Sequence, residues 1–234
     1  MTGATRGLHD RSLRAALLVV GWMALAGILV GVGELVKHSG TVQDFDNHVT
    51  SVVVGHRTAS LDSAMKAVTW LGSWVTLVVV AVVTLVLVLR RQLSVAFLIL
   101  AVVVWAGTQG GSTLAKHIVQ RPRPPERLWV VSAHGWSWPS GHTATATLVF
   151  TIVATIVWVL TPARGPRLLA ALVGVVAIVT VAFSRLELGV HWASDVLASI
   201  VFVGVWLLVA GALFGPAVLP GPAARPIGRG MSGE

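Results

Sequence analysis

Three clusters of polar residues interrupt an otherwise apolar chain. The first is Lys116, followed after six intervening residues by Arg123 and Pro124. The second is the run Pro139-Ser140-Gly141-His142. The third is Ser184-Arg185, then five residues, His191, three residues and Asp195. Lys116, Arg123 and Arg185 bring three positive charges. A guanidinium grips phosphate oxygens in bidentate fashion and an ammonium adds a point charge. Such groups neutralise the equatorial oxygens of a phosphoryl-transfer transition state. Ser140 and Gly141 stand where an apolar run begins. A helix N-terminus there offers free N–H groups and the positive end of a dipole to an anion. Gly141 lets the backbone approach closely, and Ser140 has a hydroxyl to donate. His191 and Asp195 are four apart and share a face of any helix that begins near His191. Asp195 then accepts from one ring nitrogen and leaves the other free to attack phosphorus. His142 is a second imidazole, suited to protonating the leaving oxygen and later activating water. Two histidines with opposite protonation demands imply a bell-shaped pH profile.

The elements that position these groups lie in a membrane. Of 234 residues, 55% are hydrophobic and 11% charged, and the mean hydropathy is +0.83. An average soluble domain carries about 25% charged residues, and a soluble fold of this size could not hide so much apolar surface. The absence of Cys excludes disulfides and thiolate chemistry. A formal charge of +8 raises the question of nucleic acid, but the Lys and Arg are scattered between apolar runs, so topology and a phosphate site account for them better. There are ten Trp and no Tyr; Trp22, Trp70, Trp74, Trp158 and Trp206 lie in or near apolar runs, where an interfacial belt is expected.

A span needs about 20 apolar residues. Six runs qualify or nearly so, at about 15–33, 70–89, 93–114, 143–161, 168–186 and 193–214. They predict an all-α, six-transmembrane-helix bundle forming a single domain over 1–214, followed by a disordered cytoplasmic tail over 215–234, rich in Gly, Pro and Arg. The first run follows Arg6, Arg11 and Arg14 as a signal peptide would, but no A-x-A-like site closes it and it reads as a retained helix. With a cytoplasmic N-terminus, nine of the 17 Lys and Arg fall inside, among them Arg90, Arg91, Arg164, Arg167, Arg225 and Arg229. All three polar clusters then reach the outer face, at the extracytoplasmic ends of spans three to six. Residues 44–68 suit one or two short interfacial helices, with Val49, Val52, Val53 and Leu61 facing lipid or bundle. Prolines 122, 124 and 125 exclude helix in the second outer connection.

The clusters resemble the type 2 phosphatidic acid phosphatase superfamily, membrane lipid phosphatases that share a core with vanadium haloperoxidases. Its three-part signature, K-x6-R-P, P-S-G-H and S-R-x5-H-x3-D, is matched here at all eleven fixed positions between 116 and 195. The resemblance implies a phosphohistidine intermediate on His191 and acid catalysis by His142. It also implies phosphate contacts from Lys116, Arg123, Ser140, Gly141, His142 and Arg185, with no metal or other cofactor. Pro124, Pro139 and Ser184 complete the signature as supporting residues, and Ser184 is equally able to bond back to its own helix.

Other polar residues read more simply. His38, His48, His56, His117 and His134 suit surface or loop positions, and Arg121 and Arg127 suit solvated loop charges or headgroup steering. Glu187 is placed to pair with a loop Arg. Asp44, Asp46 and Asp62 lack the dense oxygen ligation of a calcium loop. Trp136, Trp138 and Trp192 line either a lipid entrance or an interfacial belt. The leading expectation is a phosphatase of a bacterial plasma membrane acting on undecaprenyl diphosphate, phosphatidate or phosphatidylglycerol phosphate. Nucleic acid is not an expected partner, and oligomeric state is left open. A lipid phosphotransferase would carry the same motifs, and a non-catalytic lipid-binding protein would show them eroded.

Overall fold

A computed structural model describes residues 2–218 of the chain. Its elements run α1 (Thr2–His38), α2 (Gly40–Gly55), α3 (Ala59–Val68), a 3-10 turn at Thr69–Gly72, α4 (Trp74–Leu89), α5 (Val95–Val119), a second 3-10 turn at Glu126–Leu128, α6 (Gly141–Leu160), α7 (Arg164–Glu187) and α8 (Ala193–Val218). Among the described residues there is no strand. The β-branched Val and Ile that fill these segments do not oppose this, because a span in lipid must satisfy its own backbone hydrogen bonds.

Five helices are long and apolar enough to cross a membrane: Asp10–His38 within α1, then α5, α6, α7 and Ala193–Gly215 within α8. The expected second span is different. α4 has 16 residues and begins at Trp74, not at residue 70. Ser73 caps it, its hydroxyl accepting from the Val75 N–H. The preceding segment, Ala59–Gly72, meets α4 at a bend of 41°, so a sixth crossing exists only if that bent pair is counted as one. The outer surface of the bundle is apolar, as a bilayer requires. On α7 it carries Leu168, Leu172, Val175 and Val179, each more than half exposed and spaced by three or four residues. Hydroxyls inside the spans donate back along their own helices: Thr147, Thr151 and Thr155 each reach the carbonyl four residues earlier, at 2.7–2.8 Å.

Helices α1, α5, α6 and α8 enclose the main core, in which Trp138, Leu148, Phe202, Val203 and Trp206 are buried. α6 and α7 form the most extensive helix pair. Residues 215–218, expected in the tail, continue α8, and residues 219–234, where Arg225 and Arg229 fall, lie outside the described residues. The two polar connections sit at one end of the bundle. There Lys37 at the end of α1 donates to the Val119 carbonyl at the end of α5, at 2.7 Å. At the other end Arg14 donates to the Leu213 carbonyl.

Candidate active site

Six segments meet at the end of the bundle that carries the polar connections. α5 supplies Lys116 in its last turn. Gln120, in the left-handed conformation, ends the helix and turns the chain into the non-helical stretch that carries Arg121 and Arg123. α6 begins at Gly141, with Ser140 as N-cap. The free N–H groups of its first turn are those every helix leaves unpaired at its start. α7 brings Arg185 to its last turn, and Gly189 reverses the chain with φ +72°. A side chain at Gly189 would run into the Leu128 carbonyl, so this reversal requires glycine. His191 follows, and Asp195 lies in the first turn of α8, where a carboxylate complements the helix dipole. The 3-10 turn at Thr69–Gly72 packs against the start of α6; a Cβ on Gly72 would meet the His142 carbonyl.

His191 is 3% exposed and Asp195 is fully buried. His191 Nδ1 lies 3.2 Å from Asp195 Oδ2, which also accepts from the Trp192 N–H at 3.0 Å. This second bond is half of a capping box, with the carboxylate reaching back to the residue before the helix. Arg123 lies on the other side of the ring, its guanidinium 3.1 Å from Nε2. A guanidinium only donates. Nε2 therefore holds the lone pair, and Nδ1 carries the proton and donates it to Asp195. Burial pushes the His191 imidazolium down from 6.5 to about 3, helped by Arg123 and Arg185 and opposed by Asp195. The ring is a neutral base at neutral pH, with its Nε2 lone pair accepting from a cation.

The three expected cations converge. Arg123 also donates to the carbonyls of Val190, Gly135 and His134, at 2.6, 2.9 and 3.0 Å. Lys116 donates to those of Trp136 and Pro139, at 2.9 and 2.8 Å. The Pro139 carbonyl thus holds the lysine next to Ser140. Arg185 is 5% exposed and donates to the Thr69 hydroxyl at 2.6 Å, while its buried Nε has no partner. The charges of Arg185, Arg123 and Lys116 all act on His142, which makes no side-chain hydrogen bond among the described residues. Ser140 is buried and its Oγ accepts from Thr143 at 3.0 Å. A Cβ built on Gly141 would meet open space. The arrangement pairs an anion site with a neutral imidazole at its edge and a second imidazole facing it.

Several sequence expectations change. Ser184 bonds back to the Val181 carbonyl at 2.6 Å, and the side chain that supports Arg185 is Thr69. Trp138 and Trp192 are buried, their indole N–H groups donating to the Leu29 and Pro122 carbonyls, so neither sits in an exposed interfacial belt. Glu187 is buried with both carboxylate oxygens unpartnered, and Arg57 binds its backbone carbonyl instead. The largest departure is Arg121, which is 1% exposed and not a solvated loop charge. Its guanidinium lies 2.7 Å from Asp195 Oδ1 and 2.6 Å from Asp46 Oδ2. Asp46, on α2, is fully buried and accepts from the Ser194 N–H and hydroxyl at 2.9 and 2.6 Å. No spacing rule links Asp46 to partners 75 and 148 residues away.

Fold and site together define an all-helical integral membrane protein with a cluster of cations and two histidines at one end. The family model of the PAP2 superfamily matches residues 93–217, a little over half of the chain, and the protein belongs to that superfamily. The crystal structure of a transmembrane PAP2-type phosphatidylglycerolphosphate phosphatase from Bacillus subtilis is similar at TM-score 0.65 and 22% identity. That match covers 87% of this chain and 95% of the other, and it shows the shared fold. Aquifex aeolicus LpxE is similar at TM-score 0.47 and 20% identity, over 70% of this chain and 92% of the other. No curated protein matches the chain.

Proposed function

We propose that this protein is a membrane phosphatase that hydrolyses a phosphomonoester or diphosphate of a lipid through a phosphohistidine on His191. One observation carries the reading. The Nε2 lone pair of a neutral, buried His191 lies 3.1 Å from the Arg123 guanidinium, while Nδ1 faces Asp195. A nucleophile is thereby presented at the edge of an anion site with its tautomer fixed. Phosphate oxygens take the charges of Lys116, Arg123 and Arg185 and the N–H groups at the start of α6. Nε2 attacks phosphorus as the bond to the lipid oxygen breaks, and His142 gives that oxygen a proton. His142 then takes a proton from water, which attacks the phosphohistidine, breaks the N–P bond and releases phosphate. The apolar surface around the bundle suits a substrate whose tail stays in lipid. Undecaprenyl diphosphate, phosphatidate and phosphatidylglycerol phosphate are the candidate substrates. The proposed site side is extracytoplasmic, with the termini in the cytoplasm.

The test is phosphate release in detergent with EDTA from those three lipids and a water-soluble phosphate monoester, with His191→Ala in parallel. Release that survives EDTA and disappears in the variant is the expected result, and the preferred lipid identifies the substrate. A requirement for a divalent metal, or full activity in His191→Ala, overturns the mechanism. Phosphate transfer to an added alcohol in preference to water would make the protein a phosphotransferase.

A further inference from the structure

A buried ion pair between Arg121 and Asp46, both outside the eleven signature positions, lies directly behind the proposed nucleophile. Removing charges from water is costly, and the cost is met only with close partners of opposite sign. Arg121 has such partners on both sides, Asp46 and Asp195, both fully buried. Ser194 closes the group, its hydroxyl accepting from Arg121 at 2.7 Å and donating to Asp46. The Trp192 ring lies 5.7 Å from the guanidinium carbon. From α2 inward the order is Asp46, Arg121, Asp195, His191, with charges alternating up to the imidazole.

We propose that Arg121 and Asp46 are positioning residues for His191, acting through Asp195. The inference rests on the reading of His191 as the nucleophile. Arg121 binds Oδ1 and so turns Oδ2 toward His191 Nδ1. Asp46 has the complementary role. A guanidinium bonded to Asp195 alone would draw charge from that carboxylate, and a second carboxylate on its far side restores the balance. The balance matters during the reaction. When Nε2 bonds to phosphorus and the lipid oxygen leaves with a proton from His142, the Nδ1 proton stays on the ring. The imidazole then carries positive charge that Asp195 must stabilise. α2, in a connection outside the long spans, thereby becomes part of the catalytic support.

A plain tether holding α2 to the bundle would bury the same pair, but it would not tune the ring. The charged groups facing His191 are Asp195 from α8, Arg123 from the stretch after α5 and Arg185 from α7, with Arg121 and Asp46 behind Asp195. Variants at the last two leave the others in place. Asp46→Asn removes an anion and Arg121→Met removes a cation, so they are expected to move the His191 titration in opposite directions. The methionine variant raises it toward the ordinary histidine range, and the asparagine variant keeps the ring neutral throughout. The measurement is NMR titration of ring-labelled histidine in the full-length protein in detergent, beside kcat and KM on the preferred lipid. Each variant is expected to lower kcat by about tenfold to a hundredfold, as removal of an orienting partner typically does, with KM changed less than about threefold. Should Arg121→Met fail to fold, Arg121→Lys replaces it: one ammonium cannot span both carboxylates as the fork does, and the same fall in kcat is expected. Folded Asp46→Asn and Arg121→Met proteins with wild-type kcat, and an unmoved titration in the methionine variant, would reduce the pair to a tether and overturn the proposal. Failure of the wild type to release phosphate from any lipid would instead count against the phosphatase reading, and the upward ring shift in Arg121→Met would still decide whether the pair acts on His191.

Discussion

At the residue scale Arg123 has a task besides the phosphate contact proposed for it. Its guanidinium assigns the proton on the neighbouring ring, because it donates to Nε2 and so leaves Nδ1 protonated against Asp195. This modifies the bell-shaped profile expected from two histidines. With His191 pushed down to about 3, the proposed nucleophile is already neutral across ordinary pH, and its own acid limb falls far below the usual range. The sign of the stability effect follows. Between 6.5 and about 3 the unfolded chain binds a proton at this histidine and the folded chain does not. The folded state therefore loses stability as pH falls through that window and is fully supported by this group above 6.5. His191→Gln, which removes the titrating ring, is expected to flatten the dependence of thermal unfolding on pH between 7.5 and 5 in detergent. An unchanged slope would place the ring in water and contradict its burial. The motif residues stood out in the sequence through the signature spacing together with their places near the ends of apolar runs. Arg121 was not, because a Pro-rich stretch has no periodicity that says which Arg turns inward.

At the scale of elements, the site depends on how helices end. Lys116, Arg185 and Asp195 lie in terminal turns, and Ser140 lies one residue outside one. The apolar runs located α5 to α8 well, since an apolar run that long in lipid has helix as its available form. They located α4 less well. Trp70 and Leu71 look like the start of a span but belong to a 3-10 turn, because Ser73 caps a new helix and breaks the run. α2 and α3 carry mixed polarity, so composition alone allowed one helix or two. The reversal between α7 and α8 is the least forgiving of these ends. Gly189→Ala must hold a non-glycine residue at positive φ and displace the Leu128 carbonyl. The left-handed conformation alone costs about 1–2 kcal/mol, and the shift is transmitted to His191 two residues on. A lower unfolding temperature together with a fall in kcat is the expected result. Wild-type values of both would mean that this turn adapts freely.

For the whole molecule, the open question is which face of the membrane holds the site. The bundle is polar at both ends but for different reasons. At the site end, Lys37, Lys116, Arg121, Arg123 and Arg185 are all committed to carbonyls, hydroxyls or carboxylates inside the protein. Cations with a structural or catalytic task carry little information about orientation, so the near-even division of 17 Lys and Arg is less ambiguous than it looks. Among the described residues at the other end, Arg90 and Arg91 are exposed at the turn after α4, where nothing but topology explains them. By the positive-inside rule this favours the proposed orientation, with the α4–α5 turn in the cytoplasm and the site outside. The chain has no Cys, so a single introduced thiol can be labelled without background. Arg127→Cys, at an exposed position beside the site, is expected to react with a membrane-impermeant maleimide on intact cells. Arg91→Cys is expected to react only after lysis. The reverse pattern would put the site in the cytoplasm and restrict its substrates to lipids of the inner leaflet, with the helices and the chemistry of the site unchanged.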